Sequence, residues 1–156
     1  MRTYVFGADV RAAVVHPGLD PERRVDDVLE IEEDESVWIV GEDSRVEVEL
    51  TVRAAFREHV SVKLIRHKCH KVGVAVTYNG RSAMFDVPPS RTVVALLNEA
   101  LADPVLGVDP TSATDFELRE PGAESGLDPE LPVGALTKPG HCQISLILLA
   151  SNHSAG

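Results

Sequence analysis

The sequence predicts an α+β protein made of two small domains in series, each with two strands, a helix, two shorter strands and a closing strand. Three observations predict it. Val72, Val74, Val76 and Tyr78 alternate with Gly73, Ala75 and Thr77, the period-2 pattern of a half-buried strand. Asn79-Gly80 follows directly, a strong hairpin signal because a tight type I′ turn needs positive φ at both positions. The same order of elements then recurs, more faintly, in residues 1–67.

In the second half the return strand is Ser82–Val87, with Ala83, Phe85 and Val87 on one face, and Pro88-Pro89 stops it because proline cannot donate to a ladder. Thr92 is placed as the N-cap of a helix. Val93, Leu96, Leu97 and Ala100 form one apolar stripe along that helix, and Asp103-Pro104 ends it. A strand is expected at Phe116–Arg119, a short one at Leu127, an irregular turn through Leu131, Val133 and Leu136, and a closing strand over Cys142–Leu149. In the first half, Arg2–Phe6 and Val10–Val15 flank Gly7-Ala8-Asp9 as a hairpin. Val25, Val28, Leu29 and Ile31 suggest a short helix, and Val37–Val40 a strand containing a core Trp38. Gly41-Glu42-Asp43 reads as a turn, Val46–Val48 as a short strand, Leu50–Phe56 as a turn or single helical turn, and Val60–Ile65 as the closing strand. The linker is Arg66-His67-Lys68-Cys69-His70-Lys71, short enough to restrict the domains to a limited set of orientations.

A formal net charge of -10 argues against nucleic acid or an anionic membrane as partner, since both reward basic patches. The excess is evenly spread: residues 1–70 carry 15 acids against 10 Lys and Arg, and residues 71–156 carry 10 against 5. The start of the sequence lacks the apolar core of a signal peptide, and no apolar run approaches the ~20 residues that span a bilayer. Two cysteines, Cys69 and Cys142, are too few for a disulfide framework. A cytoplasmic protein with reduced thiols is expected.

Val72–Tyr78, Asn79-Gly80, Ser82–Val87 and Thr92–Ala102 resemble the first hairpin and capped helix of ubiquitin-like β-grasp domains. Leu127–Leu136 is similar to their short fourth strand and following turn, and Gln143–Leu149 to their final strand. A closing strand, a basic hinge and a new first strand run together over Val60–Tyr78. That arrangement resembles the tandem ubiquitin-like modifiers (BilA-like) of bacterial ubiquitin-like conjugation operons. The resemblance implies an α+β chain of two tandem ubiquitin-like β-grasp domains, bounded at 1–67 and 68–149, with a flexible tail over 150–156. It also implies a modifier that is no enzyme and needs no cofactor of its own. Its C-terminal glycine carboxylate, here Gly156, would be activated by an E1-like enzyme that uses ATP. An E2-like enzyme would conjugate it to a target protein, a phage structural protein in the antiphage systems, and a JAB-type metalloprotease would remove it.

The chemistry fits small residues at the end of the sequence. A carboxylate is a poor acyl donor and must be adenylated before a cysteine can take it as thioester. His153, Ser154 and Ala155 are the expected tail contacts of the activating enzyme, and Gly156 lets the backbone thread a narrow channel. The tail departs from ubiquitin in having Ala155 before a single glycine and no nearby arginine. Only 4 of 15 basic residues are lysine, a mark of GC-rich coding or of avoided self-modification.

If Ile144, Leu146 and Leu148 face the core, Ile147 and Leu149 point outward, either as a partner-binding surface or packed on the first domain. His67, Cys69, His70, His141 and Cys142 could converge, but their spacing matches no standard zinc pattern, so no metal site is assigned and solvated histidines in a basic hinge are expected. The acidic stretch Glu30–Glu35 reads as solvation of a helix end or a docking surface for basic faces. Two rival functions remain. A β-grasp protein-binding adaptor would leave the tail idle, and a sulfur carrier would bear a thiocarboxylate on Gly156.

Overall fold

The computed structural model of this protein describes residues 1–109 and 115–151. It contains two four-stranded mixed sheets with few helices, the tandem β-grasp architecture that the sequence predicts. The first lobe holds β1 (Arg2–Gly7), β2 (Val10–His16), α1 (Val25–Val28), β3 (Ser36–Ile39), α2 (Val52–Phe56) and β4 (Ser61–His67). The second holds β5 (Val72–Tyr78), β6 (Arg81–Val87), α3 (Val93–Ala102), β7 (Phe116–Arg119), a 3₁₀ turn at Val133–Leu136, and β8 (Gln143–Ala150). Strand order is β2-β1-β4-β3 in one sheet and β6-β5-β8-β7 in the other. In both, a hairpin supplies the first two strands, and the closing strand returns parallel to the first. A parallel return needs a long crossover, and α1 or α3 with the loops after it supplies that crossover.

Local chemistry sets the elements. Asn79 and Gly80 adopt φ of 49° and 77°, the left-handed pair that the β5–β6 turn requires. Thr92 and Thr51 accept hydrogen bonds from the N–H of Ala95 and Ala54, capping α3 and α2. Val93, Leu96 and Ala100 of α3 are buried against Val74, Val76, Leu118, Leu146 and Leu148. The first-lobe core is smaller and joins Val5, Val25, Val37, Phe56, Val62 and Leu64.

Several expectations change. Val46–Val48 and Leu127 are not strands: Trp38 and Arg45 form an isolated bridge, and Leu127 makes a single ladder-like bond to the Leu118 carbonyl. Segments this short, with Gly126 beside one and a turn after the other, cannot extend a ladder. Arg66 and His67 belong to β4, so only 68–71 connects the strands. The thiols are not free. Cys69 and Cys142 form a disulfide, with Cα atoms 5.8 Å apart. Compartment was the wrong guide; pairing of Gly73 with Gln143 brings the residues just before β5 and β8 together. Among the described residues, no helix is long and apolar enough to cross a membrane.

Candidate functional site

The outer face of the second sheet is built by strand alternation. Leu146 and Leu148 are buried, Ile144 half-buried, and Ile147 is 37% exposed, with Leu149 half-buried beside it. Ile147 is therefore open to solvent, and Leu149 partly so. Register places Thr77 and Arg119 on either side of Ile147, Glu117 beside Leu149, and Ala75 between Met84 and Ser145. Met84 is 60% exposed, and its sulfur leans over Gly73, where a Cβ would sit 3.7 Å from it. Ala75, Thr77 and Ser145 thus floor a shallow trough, with Met84 on one side and Ile147 and Leu149 on the other, two strands away and further along the sheet. An Arg119–Glu117 ion pair at 2.9 Å closes one rim. Met84 was not singled out from the sequence, although its place out of phase with Ala83 and Phe85 marked it as outward.

The first lobe uses its outer face differently. Phe6, Ile65 and Trp38 form one row across it. Phe6 packs against the second lobe's core, while Ile65 and Trp38 are 0% and 2% exposed. Trp38 is buried as expected, but on the side away from the first-lobe core, where it lines a cleft of about 1050 Å³ with Pro88 and Arg91. Gly134 of the 3₁₀ turn packs tightly against the first lobe. A Cβ there would lie 2.6 Å from Ile65 Cδ1, 2.7 Å from Pro89 Cβ and 3.0 Å from His67 Cδ2. The turn at Gly41–Asp43 docks on the start of α3: Gly41 N–H donates to the Ser90 carbonyl, Ser90 Oγ to the Glu42 carbonyl, and Arg91 bridges Asp43 and Glu99. Arg11 pairs with Glu120 from the other side, holding that carboxyl below its usual range by hydrogen bond and charge.

His67 is not a solvated hinge residue; it is 4% exposed. Cys69 N–H donates to its Nδ1 at 3.0 Å, and Nε2 lies 2.7 Å from Thr137 Oγ1, which donates in turn to the Gly134 carbonyl. Since that hydroxyl proton is already used, Nε2 must carry the imidazole proton, and one neutral tautomer is selected. Burial pushes His67 below its ordinary pKa, against weaker opposing effects of the Gly134 backbone and the Glu35 charge. The acidic stretch holds the end of β4 and the start of the linker. Arg66 hydrogen-bonds Glu35 and the carbonyls of Leu29 and Glu30, and Lys68 Nζ sits 3.0 Å from Glu32 and 3.6 Å from Asp34. Burial raises the Glu35 carboxyl, but hydrogen bonds from Arg66 and the Glu32 N–H, with the Arg66 and Lys68 charges, bring it below the usual carboxylate range.

His70 and His141 are both exposed. Among the described residues, no three His, Cys, Asp or Glu side chains cluster as metal ligands. His153, Ser154, Ala155 and Gly156 lie outside the described residues. Ladder bonding persists to Ser151, whose N–H donates to the Asp115 carbonyl. Residues 73–151 match the family model described as BilA ubiquitin-like domain 2. No curated protein matches the chain.

Proposed function

The chain belongs to the family of the BilA ubiquitin-like domain 2, and on that premise we propose that it is a protein modifier conjugated through Gly156. Its own contribution is the acyl group, and partner enzymes catalyse each step. The Gly156 carboxylate attacks ATP on an E1-like enzyme, giving an acyl-adenylate and pyrophosphate. A cysteine thiolate then displaces AMP to form a thioester, and an E2-like enzyme passes the acyl group to a target amine. His153, Ser154 and Ala155 are the tail contacts in this reading, and a JAB-type metalloprotease reverses the bond. Defence against phage, with a phage structural protein as target, and a cytoplasmic site belong to the same proposal.

The observation that carries it is the family match over the lobe whose outer sheet face stays open. Enzymes need a fixed surface to grip while the acyl terminus enters their site, and the trough between Met84 and Ile147 supplies apolar anchors ringed by polar groups, the composition of a docking hot spot. Incubation with the activating enzyme of the same operon and ATP should give an adduct that dithiothreitol cleaves. Deletion of Gly156 should abolish it, and an unchanged adduct in that variant would end the proposal. The exposed trough also supports a second reading, an adaptor that binds through this face alone. In that case Gly156→Glu leaves function intact while Ile147→Asp abolishes it.

A further inference from the structure

We propose that the Cys69–Cys142 bond is a redox latch that sets how firmly the two lobes are docked, independently of what is joined to Gly156. The bond ties the connecting segment to the foot of β8, only two residues beyond the end of β4. From there a continuous hydrogen-bonded relay reaches the lobe interface. Cys69 N–H donates to His67 Nδ1, His67 Nε2 donates to Thr137 Oγ1, and Thr137 donates to the carbonyl of Gly134, the residue wedged between Ile65 and Pro89. Holding Cys69 in place holds its N–H on His67, and so fixes the tautomer that engages the second lobe. Buried relays of this kind lose more than one bond when a member is displaced.

The two sulfurs are unequally accessible. Cys69 is 6% exposed, whereas Cys142 is an exposed residue, so a small thiolate is expected to attack at Cys142. That attack breaks the S–S bond, leaves a mixed disulfide on Cys142 and releases Cys69 as the thiolate. A second small thiol then resolves the mixed disulfide, so two thiols become one small disulfide and the protein gains two thiols. Reoxidation by a small-molecule disulfide runs the same steps backward. The reduced state has a place for the buried thiol, since Cys69 Sγ lies 3.5 Å from the His141 carbonyl. Four residues, 68–71, then form the only covalent tether between the lobes.

The test is amide hydrogen exchange on the full chain, equilibrated in oxidised and in reduced glutathione, with the thiol count read by alkylation and intact mass. Reduction should speed exchange at 67–71 and 133–137 by roughly fivefold or more, the scale of ordinary coupling between sites. Amides of Val74 and Leu146 should stay protected. A change below about twofold at the interface would overturn the latch, because the bond would then not reach it. So would a bond that excess reduced glutathione leaves intact, or faster exchange throughout β5–β8, since either describes a static staple of the second lobe. The Cys69→Ser/Cys142→Ser double variant should match the reduced protein in both buffers. Any remaining response to glutathione in that variant also overturns the proposal.

Discussion

In the first lobe the row Phe6–Ile65–Trp38 crosses the outer face of the sheet; in the second, the same register positions hold Thr77–Ile147–Arg119. Each row runs from first strand to closing strand to third strand. Ile65 is fully buried and Ile147 is 37% exposed. One scaffold used twice therefore has one outer face holding the lobes together and the other open to solvent. The composition of the rows explains the division. Two aromatic rings flanking an isoleucine make a face too apolar to leave in water, whereas a threonine and an ion-paired arginine flanking an isoleucine make one that water tolerates.

The sharpest way to break this comparison is the same substitution at both central positions. Ile65→Asp buries an unpaired carboxylate between lobes and should cost about 3–5 kcal/mol, visible as a large loss of denaturant midpoint. Ile147→Asp should leave the midpoint within about 0.5 kcal/mol while removing enzyme docking. Equal stability losses would mean the two faces are not used differently. A smaller effect is expected from Gly134→Ala, whose new Cβ meets Ile65 and Pro89 below 3 Å. Overpacking there should cost about 1–3 kcal/mol and increase the radius of gyration in solution scattering without loss of strand content.

The cores differ too, and Thr3 shows it. It occupies the first-lobe position that Val74 fills in the second, is fully buried, and its Oγ1 has no hydrogen-bond partner among the described residues. Thr3→Val should stabilise the first lobe by roughly 1 kcal/mol, measured as a shift of its unfolding midpoint. The mildest effect near neutrality is a response to acid. His67 has a lowered pKa when docked, so the docked state binds fewer protons than the unfolded one and its stability is fully present above the free imidazole value of about 6.5. As pH falls below that value the stability declines, because a protonated Nδ1 would face the Cys69 N–H donor. Lobe docking followed by fluorescence energy transfer should weaken on acidification, and His67→Gln should flatten the profile.

The single-domain grammar was legible residue by residue. Asn79-Gly80, the Thr92 cap and the stripe Val93–Leu96–Ala100 were readable because each depends on φ restriction or periodicity within a few residues. Elements of one to three residues, Leu127 and Val46–Val48, were misread because so short a segment pairs only if a neighbour is already in place. The free outward position of Ile147 followed from alternation. Its counterpart in the first lobe left a signal as well: Val37-Trp38-Ile39 and Leu64-Ile65 are apolar on both faces, the mark of a strand buried on both sides.

Sequence by itself determined the two-lobed α+β scaffold, its hairpins and helix caps, and which residues of each strand share a face, because these follow from short-range sterics and hydrophobic period. Only the tertiary structure decided that the first lobe's outer face is covered, that His67 is buried in one tautomer, and that Cys69 meets Cys142. Those outcomes depend on which surfaces meet between residues some 70 positions apart in the chain, and alternation says that a residue points outward without saying what it will find there.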